Sequence, residues 1–161
     1  MIFYYLWSYC IRTFESSTTK KSYMFNVLTE INWLSVLVAF AAYFTLGGLW
    51  PMVFFNKHYR MSLGRENEPQ PKPRPIDIIG PAVCTFVITS TSAILIHLLK
   101  IDSYENVLLF ALLVGFGYLF SNTTMIAINP NIPRPLLYGF ISGMYHFIGI
   151  SIVSILLVAM R

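Results

Sequence analysis

The chain has 161 residues and a formal charge of +4, with hydrophobic types at 56% and charged types at only 11%. A soluble domain carries about 25% charged residues, so this composition leaves too little polar surface to cover a water-facing fold and points to the lipid bilayer as solvent. The basic residues cluster beside apolar runs instead of spreading over a recognition face. The excess positive charge therefore reads as a topology signal, with no nucleic acid partner expected.

Residues 1–23 form an N-terminal extension. Met1 to Arg12 is apolar and aromatic but too short to span, and no small-residue cleavage site follows it. Met24 stands just ahead of the first span, so the upstream part reads either as an interfacial or disordered segment or as the product of a misplaced start. Residues 24–161 then form one membrane domain. Cys10 and Cys84 lie in unlike settings, and no disulfide framework is expected.

Four runs lack Asp, Glu, Lys and Arg altogether: Trp33 to Phe55, Ile78 to Leu99, Asn106 to Ile128 and Leu136 to Met160. Each has 22 to 25 residues, or roughly 33 to 38 Å as helix, enough to cross a hydrocarbon core of about 30 Å. Backbone groups in lipid must be satisfied internally, and these runs lack the strict alternation of a barrel strand. The expected fold is therefore an all-α integral membrane bundle of four transmembrane helices.

The connections Lys100 to Glu105 and Asn129 to Pro135 are short, which predicts antiparallel neighbours. The connection 56–77 is long and basic. It carries Lys57, Arg60, Arg65, Lys72 and Arg74, and Arg134 joins them from the loop 129–135 on the same side. Only Lys100 and Arg161 lie opposite when the extension is set aside, and six against two places both loops in the cytoplasm. The same five cations of the long loop are candidates for contact with anionic lipid. Proline at positions 69, 71, 73 and 75 predicts extended polyproline-II-like chain, a stiff spacer without the spacing of a PxxP ligand.

Within the first span, Gly47-Gly48 precedes Trp50-Pro51, predicting close packing followed by a kink or an early end. In the second, Thr85, Thr89 and Ser92 share one helical face. His97 sits at the end of that span, where it reaches interfacial water. In the third, Gly115, Tyr118 and Asn122 follow an i, i+3, i+7 stripe. In the fourth, Gly139 and Gly143 form a small-xxx-small motif whose face also carries His146, near mid-membrane. An ionisable group at that depth faces other helices, which makes Asn122 its expected hydrogen-bond partner. Gly139, Gly143, Gly47, Gly48 and Gly115 are the expected helix-packing positions.

The stretches Asn32-Trp33-Leu34-Ser35-Val36-Leu37-Val38, Leu46-Gly47-Gly48-Leu49-Trp50 with Phe54-Phe55-Asn56-Lys57, and Gly143-Met144-Tyr145-His146 resemble the bacterial family of small four-helix membrane proteins catalogued as domain of unknown function 1761. The resemblance runs from about Met24 to Arg161 and implies a compact four-span bundle, with no established activity, cofactor or catalytic residue. Pro51 and the Pro-rich loop depart from the family pattern.

No metal, phosphate-loop, nucleophile-elbow or paired-carboxylate constellation is present in the sequence, so neither enzymatic chemistry nor a cofactor is expected. The sequence points to a non-enzymatic structural or accessory bundle of the bacterial cytoplasmic membrane, able to self-associate. The alternative is a homo-oligomeric transporter or channel with a polar path of Thr85, Thr89, Ser92, Asn122 and His146.

Overall fold

A computed structural model describes residues 27–69 and 72–161, so the expectations for residues 1–23 lie outside the described residues. The chain divides into two units at Ile31. Of the first, the described part is a single helical turn closed by the Ile31 N–H donating to the Val27 carbonyl. The second unit, Asn32–Arg161, is an all-helical bundle with four helices long and apolar enough to cross a membrane.

Each span starts at a capping side chain or at a proline in the first helical position. Helix α1 (Trp33–Leu49) begins at Asn32, whose side-chain oxygen accepts from the N–H groups of Leu34 and Ser35 at 3.1 and 3.4 Å. That satisfies two of the orphan donors of the first turn. At Trp50 the α-helix gives way to a π-helical turn, Trp50–Phe54, because Pro51 has no N–H to continue the ladder. A short helix α2 (Asn56–Ser62) then runs into the long connection.

Helix α3 (Pro75–Leu98) begins with proline at the first helical position, where its missing N–H costs nothing, and with both Asp77 carboxylate oxygens accepting from Arg74. Its end is a Schellman turn. The Ile101 N–H donates to the Ile96 carbonyl and the Lys100 N–H to that of His97, both at 3.0 Å. Lys100 takes the left-handed position at φ 53°, where glycine is the unstrained choice.

The third span is composite. Helix α4 (Tyr104–Ala111), capped by Ser103, passes into a π-helical stretch, Leu112–Phe120, and back into α5 (Ser121–Ala127). Helix α6 (Pro135–Ala159) is unbroken, and it packs against all three other spans. The second and third spans pack on it and not substantially on each other, so the short 100–103 connection does not make them packed neighbours.

Both ends of the bundle are tied. At one end the Asn32 side-chain amide donates to the Met160 carbonyl and the Arg161 guanidinium to that of Ile101. At the other, the Arg134 N–H donates to the Ser62 carbonyl, Arg134 pairs with Glu66 at 3.7 Å, and the tilted rings of Tyr59 and Tyr138 pack with centroids 5.6 Å apart. The loops 56–77 and 129–135 therefore share one side, as the antiparallel reading requires.

Glycine sets the distances between spans. Tyr43 of α1 rests on Gly149 of α6, and Tyr145 of α6 rests on Gly47 of α1, where a Cβ would come within 2.7 Å of the tyrosine oxygen. These are reciprocal rungs, each four residues along its helix. On the opposite flank of α6, Gly115 meets Phe147, Phe120 meets Gly143, and Thr124 meets Gly139. The third span thus advances by five and then four residues while α6 advances by four each time. The extra residue is what a π turn supplies, and it keeps the two antiparallel faces in register.

Candidate functional site

The half of the bundle nearest α2 holds a cavity of about 510 Å³. Its walls come from the end of α1 and the following π turn, the start of α3, and α6 from Tyr138 to His146, a depth of about 12 Å at helical rise. Tyr59, Tyr138 and Asp77 stand at its outer end and Thr85, Tyr145 and His146 at its inner end.

His146 lies eleven residues into α6, about 16 Å from its start and near mid-membrane. Its Nδ1 is 2.6 Å from the hydroxyl of Tyr43, a residue with no exposed surface. The two rings meet edge to face, and Tyr145 packs on both. Thr85 and Tyr43 flank the Tyr145 hydroxyl. At the outer end Trp50 donates through its indole N–H to the Ile141 carbonyl at 2.9 Å, clasping the end of the first span to α6. Tyr59, in α2, has its pKa raised above the usual phenol value, chiefly by burial and secondarily by Tyr138.

The sequence-derived polar path divides. Thr85 and His146 line the cavity together. Thr89 and Ser92 are buried farther along α3, outside the cavity lining, and the Thr89 hydroxyl donates to the Thr85 carbonyl of its own helix. Asn122 is exposed, and the expected Asn122–His146 bond is replaced by the Tyr43–His146 pair. The reason is the π-helical stretch: Gly115 still faces α6, but a stripe drawn at α spacing fails across Leu112–Phe120, and Tyr118 and Asn122 turn outward. The Ser121 hydroxyl donates to Phe116, five residues back, as the wider turn allows.

Among the expected packing glycines, Gly139, Gly143, Gly47 and Gly115 each seat a neighbouring span. Gly48 does not: a Cβ there meets nothing within 4 Å, and the residue borders the cavity. Gly149, Tyr43 and Tyr145 were not singled out by sequence reasoning. Their signal was available as a Tyr-xxx-Gly spacing in α1 mirrored by Tyr-xxx-Gly in α6.

The basic loop is also more occupied than its charge count implies. Arg60 donates to the Arg65 and Glu68 carbonyls, Arg74 is bound to Asp77, and Arg65 lies 4.0 Å from Glu68. Among the described residues no group of three or more His, Cys, Asp and Glu side chains is placed to hold a metal.

These features define a class: a four-span membrane bundle with a glycine-seated hub helix and a one-sided, mid-membrane cavity ending on a histidine–tyrosine pair. The chain belongs to the family described as protein of unknown function (DUF1761), whose model matches residues 34–158. No curated protein and no solved structure matches.

Proposed function

We propose that this chain is a non-enzymatic, membrane-embedded binding protein of a bacterial cytoplasmic membrane, which holds a small ligand in the half-bundle cavity without transforming it. The observation that carries the reading is the placement of His146 at the inner end of a cavity within a single chain. Among the described residues its imidazole is oriented by a tyrosine hydroxyl and by no carboxylate, the partner that would stabilise an imidazolium during acid–base turnover. A volume near 500 Å³ with mostly apolar walls and a few convergent polar groups is typical of ligand sites. In this reading the loops 56–77 and 129–135 face the cytoplasm, and exposed Lys57 meets anionic headgroups.

The test is mass spectrometry of protein extracted into lipid nanodiscs, comparing wild type with Gly48→Phe, a substitution that fills the cavity from an open position. A small molecule carried by the wild type and missing from the variant supports binding. Identical small-molecule content contradicts it.

A homo-oligomeric carrier is the second reading. It is favoured by the closure of the bundle beyond His146, where Ile150, Val153, Thr89 and Ser92 are buried, as one state of an alternating-access cycle would be. Solute flux in proteoliposomes that His146→Ala abolishes would favour the carrier; absence of flux favours binding alone.

A further inference from the structure

The cavity has a side entrance. The π turn Trp50–Phe54 does not pack substantially against α3, and the lining residues Met52 and Ile78, on opposite sides of this gap, are 67% and 53% exposed. At this position in a membrane span, exposed apolar surface meets acyl chains, so the cavity communicates with the lipid phase.

Its charge inventory is equally restrictive. Among the described residues no Lys or Arg lines it, and the carboxylate that does, Asp77, has both oxygens accepting from Arg74 at 2.9 to 3.1 Å. An anionic head would find no cation inside, and a cationic head would have to displace Arg74. A neutral head has neither problem, which matters because unpaired charge at this depth is expensive.

At the inner end, we take the Tyr43 hydroxyl, 2.6 Å from His146 Nδ1, as the donor of that pair. The neutral imidazole then keeps its proton on Nε2, a donor beside the Ser142 hydroxyl and the Tyr145–Thr85 hydroxyl pair that border the same space. The rings of Trp50, Tyr59 and Tyr138 flank the approach to these donors. Resting on the binding reading above, we infer that the cavity takes a neutral, lipid-borne molecule with a compact ring head bearing hydrogen-bond-accepting oxygens, of quinone type, entering from the bilayer between the first two spans.

The experiment measures the melting temperature of the full chain in lipid nanodiscs with three decyl-chain probes: a neutral benzoquinone, a trimethylammonium and a sulfate. A ligand that binds only the folded state raises stability with concentration. The quinone should give a saturable rise in wild type that disappears in Gly48→Phe and needs about tenfold more probe in His146→Leu, which loses one donor. Gly48→Phe keeps the test decisive if His146→Leu fails to fold, because the new side chain enters open space. An equal, Gly48→Phe-sensitive rise with either charged probe overturns the neutral head while leaving cavity binding intact. No rise with any probe overturns the quinone-type head, and the nanodisc mass spectra then decide separately whether the cavity binds anything.

Discussion

Gly149→Ala is the sharpest perturbation available, because the added methyl would collide with the ring of Tyr43. That ring has no exposed surface, and its hydroxyl is anchored at 2.6 Å to His146, so it cannot swing aside without breaking the pair. Overpacking of this kind costs about 1–3 kcal/mol. Losing a membrane hydrogen bond adds about 0.6 kcal/mol, and the better helix propensity of alanine returns up to about 1 kcal/mol. The expected net loss is about 2 kcal/mol. Gly48→Ala, one of the other glycines of the same helix pair, meets nothing within 4 Å and should be neutral or slightly stabilising. Reversible unfolding in mixed detergent–dodecyl sulfate micelles reads both variants on one scale. Equal stability of Gly149→Ala and Gly48→Ala would refute the tyrosine-on-glycine packing.

Lys100→Gly should stabilise the protein by about 1 kcal/mol, since glycine removes the cost of a left-handed lysine while the two Schellman hydrogen bonds remain; a lower melting temperature would contradict that turn. Asn122→Ala, at an exposed position, should change stability by less than about 0.5 kcal/mol, whereas Tyr43→Phe, which strips His146 of its partner, should cost about 0.6 to 1.7 kcal/mol. Because the Tyr59 pKa is raised in the folded state, its contribution to stability is full below the ordinary phenol value of 10.0 and is lost as pH rises beyond it. Tyr59→Phe should therefore flatten the decline in melting temperature above pH 10, and an unchanged slope would count against burial as the cause.

The spans were legible in the sequence because exclusion of charge is a long-range, one-dimensional signal. Trp33, Pro75 and Pro135 start their helices within three residues of the positions read from apolarity alone. The Gly139 and Gly143 face was legible for the same reason: α6 is an uninterrupted α-helix, and a spacing of four keeps its meaning there. The third span is less legible, because α periodicity does not hold across its nine π-helical residues and places Asn122 inward when it faces out. Hydropathy carries no mark of that change, since apolar residues fill the stretch all round. The partner of His146 was hidden differently. A tyrosine within an apolar run reads as bulk, and only the opposing Gly149 shows that its ring crosses to the fourth span.

An experimental structure in lipid nanodiscs at side-chain resolution tests the account most directly. It should show a void or non-protein density between Trp50, Thr85 and His146, with the Tyr43 hydroxyl in hydrogen-bonding range of Nδ1. Side chains filling that space, or a His146 ring turned toward Asn122, would contradict it.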